Sequence, residues 1–259
     1  MLSQAKLISV SGSTGIKVIN MIWSNNIDRL SENVHQIHFG GTSATVLQTT
    51  EGLILFDSGF KWNGNALEKS IGSLGFSIND ISHLLMTHYH PDHSGGLHSL
   101  VNKGVSKIYI HTKDAGVITG KTAMPGLIRN PLLGLFGNPF LSLLKGKPIG
   151  HSFPLDGGEK IDSSVPIEVI HTPGHTDGSV CYYLPTEGIL IAGDALSVRK
   201  KKLFGPSKIF SNDWNQAVAS INKLIEFDYN IVCLSHYRPI LKNGREKIQR
   251  LIEELNKQL

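Results

Sequence analysis

The 259-residue chain is 40% hydrophobic and 18% charged, an ordinary globular balance that excludes a disordered chain, collagen-like sequence and a disulfide-dense miniprotein. Lys and Arg outnumber Asp and Glu by 25 to 21, and the longest basic tract is Arg199-Lys200-Lys201-Lys202, so charge alone gives no reason to expect a nucleic-acid partner. The same balance would not repel an anionic small molecule. Cys181 and Cys233 each sit inside an apolar run and read as buried thiols suited to a reducing cytosol. The first ten residues lack the pattern of a signal peptide, and no run reaches the roughly 18 apolar residues of a membrane span. A cytoplasmic protein is expected, built as a single domain over 1–259.

Short apolar runs between turn residues predict strands at 16–19, 44–47 and 53–56, paired antiparallel. A helix is expected at 65–74, a buried strand at 81–86, a second helix opening near Ser94 and a strand at 107–111. From 124 to 149 the text changes to Leu and Phe interrupted by Pro125, Pro131, Pro139 and Pro148. Prolines at that density argue against one long helix and for short amphipathic turns. Their place in the chain suggests an apolar wall or lid over a cleft, with core packing or a homodimer contact as the alternatives. Further strands are expected at 167–170, 179–184, 188–192 and 231–234. Helical spacing marks 213–226, after the start signal Ser211-Asn212, and a last helix after Asn243-Gly244.

Twelve histidines are more than a surface requires, and their positions carry the chemistry. Directly after the strand at 81–86 stands Thr87-His88-Tyr89-His90-Pro91-Asp92-His93-Ser94-Gly95-Gly96. Four ligand-type side chains fall within six residues, and imidazole with carboxylate is the donor set of zinc, manganese and ferrous iron. Three more strand ends carry such groups: His175 in Thr172-Pro173-Gly174-His175-Thr176, Asp194 in Ile191-Ala192-Gly193-Asp194, and His236 in Leu234-Ser235-His236. Any one of them alone would be read as a capping or surface residue.

With these residues in this order the chain resembles the metallo-β-lactamase-fold hydrolase superfamily, in its glyoxalase-II-like and lactonase-like branch. The resemblance implies an α+β fold, a four-layer αβ/βα sandwich with two divalent metal ions in a cleft at one edge of the paired sheets. His88, His90 and His175 would hold one ion and Asp92, His93 and His236 the other, with Asp194 bridging. Zinc is the expected metal, and iron or manganese would accept the same ligands. Asp57, in Phe56-Asp57-Ser58-Gly59, would orient a metal-bound histidine rather than ligate. Its other reading is a simple turn residue.

Two ions bridged by a carboxylate can share a hydroxide that is nucleophilic near pH 7. The expected activity is therefore hydrolysis of an ester-like bond in a thioester, ester or lactone, with Asp92 as the catalytic carboxylate. Ala195-Leu196-Ser197-Val198-Arg199 stands where glyoxalase-II relatives have Gly-Cys-Gly-Lys, which argues against glutathione specificity. Ser197 stands near the Tyr of lactone-hydrolysing relatives. A mononuclear iron persulfide dioxygenase and a phosphodiesterase or nuclease of the same fold are the alternatives. The substrate is expected to be a small molecule, anionic or acyl-bearing, with Arg199 to Lys202 as a candidate anion contact. Tyr89 is expected to point away from the metals, and the histidines outside the motifs to be ordinary hydrogen-bonded or surface residues.

Overall fold

The computed structural model describes residues 26–199 and 202–257. Strands β1 (Ile27–Arg29), β2 (Val34–His38), β3 (Ser43–Thr49) and β4 (Gly52–Phe56) pair in succession as an antiparallel meander. The strand expected at 16–19 lies outside the described residues. Helix α1 (Gly64–Ser73) then crosses over to β5 (Ile81–Leu85), which runs parallel to β4. Helices α2 (Pro91–Ser94) and α3 (Leu97–Asn102) lead to β6 (Ile108–His111), and α4 (Thr112–Ile118) and α5 (Pro131–Ser142) lead to β7 (Phe153–Leu155), both joins parallel. Parallel neighbours cannot be joined by a tight hairpin, and these helices are the crossovers that the pairing demands.

A second sheet has the order β13-β10-β9-β8, from β8 (Glu168–His171), β9 (Val180–Leu184), β10 (Ile189–Ile191) and β13 (Ile231–Cys233). A hairpin of β11 (Ser197–Arg199) and β12 (Lys202–Phe204) follows β10, and α6 (Trp214–Ile221) precedes β13. Helix α7 (Gly244–Asn256) closes the described chain. The helix expected at 213–226 is α6 continued by a 3-10 stretch, Asn222–Glu226.

Two-residue alternation assigns the layers. In β4, Leu53 and Leu55 pack with Leu67 and Ile71 of α1, Leu97 and Leu100 of α3 and Val117 of α4. Ile54 and Phe56 face the other way and meet Tyr182, Leu184, Ile189 and Ile191 of the second sheet. In the second sheet Cys181, Tyr183 and Leu190 turn outward onto Ile221 of α6 and Ile248, Leu251 and Ile252 of α7. The result is helices, sheet, sheet, helices, the expected αβ/βα sandwich. Each fully buried Leu or Ile in these layers contributes roughly 1.5–3 kcal/mol relative to exposure. Both cysteines are free and buried, and burial pushes each thiol up to about 12.

Two expectations are corrected. The helix expected near Ser94 starts three residues earlier at Pro91 and stops at Gly95-Gly96, where a Cβ on Gly96 would lie 2.5 Å from the Ser58 carbonyl oxygen. The second concerns 124–149: it is not one long helix, as expected, but its middle, Pro131–Ser142, is a twelve-residue helix, α5, where short turns are expected. Pro131 occupies the first turn, where its missing N–H costs nothing, and Asn130 caps the end by accepting from the Leu133 N–H. Only Pro139 lies inside.

Candidate metal centre

Strands β4 and β5 are parallel, so their C-terminal ends share one edge of the first sheet, with Asp57 following one and Thr87 the other. Asp57 takes a left-handed φ of 60°, a conformation that Asp and Asn tolerate better than most residues. Its buried carboxylate accepts from Thr87 N–H and Thr87 Oγ1–H, both at 2.8 Å, and Oδ2 also accepts from His93 Nδ1–H at 2.8 Å. Ser58 ties down the same turn, its Oγ donating to the His93 carbonyl oxygen.

These bonds fix which ring nitrogens are free. The Thr87 hydroxyl spends its only proton on Asp57, so at His88 Nδ1, 3.0 Å away, it is the acceptor. His88 therefore carries its proton on Nδ1 and presents a bare Nε2. His93 donates Nδ1–H to Asp57, and His236 donates Nδ1–H to the Gly41 carbonyl oxygen at 2.7 Å. Three histidines thus aim Nε2 into the same space.

The second sheet supplies the remaining groups. Strands β8 and β10 are each antiparallel to β9, and β13 is parallel to β10, so all three end at one edge, where His175, Asp194 and His236 follow. The His175 turn needs Gly174 at φ 124°, with its Cα so close to α6 that a Cβ would lie 2.1 Å from the Ala217 nitrogen.

Every ligand position expected from the sequence is brought to this edge. His88, His90, His175 and Asp194 form one group and Asp92, His93 and His236 a second, the candidate ligand atoms within each lying within 4.8 Å of one another. Asp194 stands between the groups. Its Oδ2 is 3.3 Å from His175 Nε2 and 3.2 Å from His236 Nε2, and Oδ1 is 3.4 Å from His93 Nε2 and 3.1 Å from His236 Nε2. Asp92 Oδ2 is 3.4 Å from His236 Nε2 and 3.6 Å from His93 Nε2.

Divalent cations fit these residues. His88 Nε2, His93 Nε2 and Asp194 Oδ1 are buried atoms without a hydrogen-bond partner, and buried polar atoms are seldom left so. For neutral rings with the tautomers above, bare imidazole nitrogens confront carboxylate oxygens, lone pair against lone pair, an arrangement that a cation between them relieves. Nitrogen and oxygen donors in sets of three and four are what zinc-type ions take.

The electrostatics are divided. Burial, assisted by neighbouring rings, holds His88 and His90 well below the usual imidazole range, which keeps them neutral. Burial opposes charge on His93 too, but Asp57, Asp92 and Asp194 overcome it and raise that ring well above 6.5. Asp194 first, against burial, lifts His236 to about 9. Asp194 is itself held well below 3.8 by His236 and His93, although burial alone would raise it.

Two residues escaped sequence reasoning. Thr87 sets the His88 tautomer, and its only sequence signal was its place at the head of the histidine run. Asp114, buried on α4, accepts from Tyr89 N–H, Thr176 Oγ1–H and Gly178 N–H at 3.2, 2.7 and 2.9 Å. It thereby joins the His88–His93 loop to the His175 turn. Burial pushes Asp114 up to about 6, against those three bonds.

Beside the ligands lies a cavity of about 160 Å³ lined by His90, Asp92, Asp194 and His236 and by the apolar Phe60, Leu127, Leu141, Leu144 and Phe210. From the stretch 124–149, Leu141 of α5 and the flanking Leu127 and Leu144 thus border the candidate site. Of the basic run, Arg199 lies near the Phe204 ring and Lys202 pairs with Glu254 of α7 at 2.8 Å, while Lys200 and Lys201 lie outside the described residues. Tyr89 is buried in the helix-side core, as expected. Among the other histidines, His38, His83 and His111 make ordinary hydrogen bonds.

The comparisons with known proteins agree with this fold. The family model described as the Metallo-beta-lactamase superfamily matches residues 38–236. The chain is 24% identical over 225 residues to the probable metallo-hydrolase YybB of Bacillus subtilis, covering 84% of this chain and 94% of that protein. A 117-residue stretch is 32% identical to a hydroxyacylglutathione hydrolase of Rhizobium meliloti, 45% of this chain and 34% of the other. Among solved structures, the metallo-beta-lactamase family protein TTHA1429 of Thermus thermophilus superposes with a TM-score of 0.67 at 23% identity, over 88% of this chain and 81% of that one. The metallo-beta-lactamase GOB-18 of Elizabethkingia meningoseptica gives 0.68 at 20%, over 96% and 97%.

Proposed function

The chain belongs to the metallo-beta-lactamase superfamily as a metal-dependent hydrolase, and from that premise we propose that it is a dinuclear enzyme, expected to use zinc, that cleaves an ester-like bond in an acyl-bearing small molecule. The position of Asp194 carries this reading, since its carboxylate lies between the two ligand groups, within 3.3 Å of His175 in one and within 3.4 Å of His93 and His236 in the other. His88, His90 and His175 would hold one divalent ion and Asp92, His93 and His236 the other, with Asp194 shared. Bound there, such ions supply Lewis acidity and lower the pKa of water towards about 7.

The chain's own residues do the rest. Phe60, Leu127, Leu141, Leu144 and Phe210 give an acyl chain an apolar seat and exclude bulk water, strengthening each charge in the cleft. Asp92 Oδ2 borders both the cavity and the histidines, where it can take a proton from the attacking water. Water adds to the carbonyl carbon, the C–S or C–O bond breaks, and the proton passes to the departing thiolate or alkoxide. Asp57 and Thr87 keep His93 and His88 in the ligating tautomer. The hydroxyacylglutathione hydrolase relative, whose name denotes a thioester substrate, supports placing thioesters first in the assay.

The deciding experiment is elemental mass spectrometry on untagged protein purified without chelator, followed by kcat/KM on matched thioesters, esters and lactones. About two ions per chain with carbonyl hydrolysis supports the proposal. One iron per chain with oxygen uptake on a persulfide overturns it.

A further inference from the structure

Helix α5 does not behave as the surface helix of a water-soluble domain. Leu132, Leu135, Phe136 and Phe140 are 76%, 67%, 80% and 68% exposed, and neighbouring Leu133 and Leu143 are exposed as well. Asn138, one of its few polar side chains, is used internally, accepting from the Ile128 N–H and donating to the Ile128 carbonyl oxygen. Gly134 presses so closely on the same segment that a Cβ would lie 2.7 Å from the Ile128 oxygen. The Arg129 side chain binds Asn212, and the Lys61 ammonium donates to the Leu143 carbonyl oxygen. The helix is thus held at both ends with its apolar side chains turned to water, an arrangement that marks an interaction surface.

Charge identifies the partner. Between Asp114 and Asp156 the chain contains no Asp or Glu, while Lys121, Arg129, Lys145 and Lys147 flank the helix on both sides. A two-fold dimer through this face would bring the same cations together and meet like charge with like. A bilayer with anionic headgroups satisfies both properties, taking the Leu and Phe side chains at the acyl boundary and the Lys and Arg side chains at the phosphate level. No described helix is long and apolar enough to span a bilayer, so attachment would be to its surface. Leu141 belongs to α5 and also lines the metal-site cavity, so the cleft lies beside the docking face.

We propose that α5 and its basic flanks dock this protein on the surface of an anionic lipid bilayer. The inference concerns binding alone and does not depend on which bond is cleaved. The test is co-sedimentation of the full chain with phosphatidylcholine vesicles, with and without about one third phosphatidylserine. Binding is expected only with phosphatidylserine, weakened about tenfold or more in Leu135→Glu/Phe136→Glu and, separately, in Lys145→Glu/Lys147→Glu. It should also fall in about 0.5 M salt, where charge attraction is screened within a few ångströms. All changed residues lie outside the cavity by the ligands, so hydrolysis of a soluble substrate should persist and shows that the variants are folded. Lack of binding, equal binding to both vesicles, or binding unchanged by either pair of substitutions overturns the proposal. So does a dimer in solution that the Leu135/Phe136 pair dissolves without any vesicle binding.

Discussion

Asp57 Oδ2 accepts the Nδ1 proton of His93 at 2.8 Å from a backbone position with φ 60°. One residue therefore joins a strained turn to the orientation of a ligand-type ring. Asp57→Ala removes the acceptor of three donors and places a Cβ residue with no polar compensation in a left-handed conformation. It should weaken metal binding about 10- to 100-fold and cost about 1–2 kcal/mol of stability. Asp57→Asn keeps the tolerated backbone and one acceptor, so stability should be spared more than metal affinity. Chelator competition and denaturant titration on both variants would separate the two effects, and equal losses in both would contradict this division.

Asp92 tests the proton step. Its carboxylate faces His236 and His93 without bonding the core, so Asp92→Ala should leave the circular dichroism spectrum intact and change chelated-protein stability by no more than about 0.5 kcal/mol. Turnover should fall by about 10² to 10⁴, the range for losing a positioned acid–base group, with a further loss if an ion leaves. Retention of most activity with full metal content would refute the assigned role.

Asp114 gives a pH signature in chelated protein. Its carboxyl rises from 3.8 to about 6 on burial, so between those values the folded state holds the proton that the unfolded state has released. This contribution to stability is fully present below about 4 and lost as pH rises through about 6, a change of about 3 kcal/mol. Asp114→Asn should flatten that part of the profile while the wild type declines. Parallel profiles from denaturant titration would count against a buried, proton-linked Asp114.

The apolar wall predicts a chain-length effect. Leu144→Asn, at the cavity lining, should raise KM for an octanoyl substrate about tenfold and leave an acetyl substrate within about twofold. Equal effects on both would place the acyl chain elsewhere.

The candidate site was legible because its ligand-type residues cluster in sequence at His88, His90, Asp92 and His93 and otherwise fall at strand ends, which turn chemistry and alternation reveal. The layers were legible for the same reason, Ile54 and Leu55 pointing to different cores by simple alternation. Asp114 was not, because its partners at Tyr89, Thr176 and Gly178 are long-range contacts that no local pattern encodes. Proline density in 124–149 hides α5, because Pro131 sits at its first turn and terminates nothing. Arg199 and Lys202 looked close to Asp194 in sequence, yet the β11–β12 hairpin carries Lys202 to Glu254.

The candidate ligand set is drawn from both sheets, four residues following β5 and three following β8, β10 and β13. A bound ion would hold these two halves as a clasp, and its binding energy would count as folding energy. With free metal a thousandfold above Kd, one such site adds about 4 kcal/mol, a large fraction of the roughly 5–15 kcal/mol that keeps a domain folded. Metal starvation would then act on protein lifetime as well as on turnover, exposing the unloaded chain to proteases before any substrate is missed.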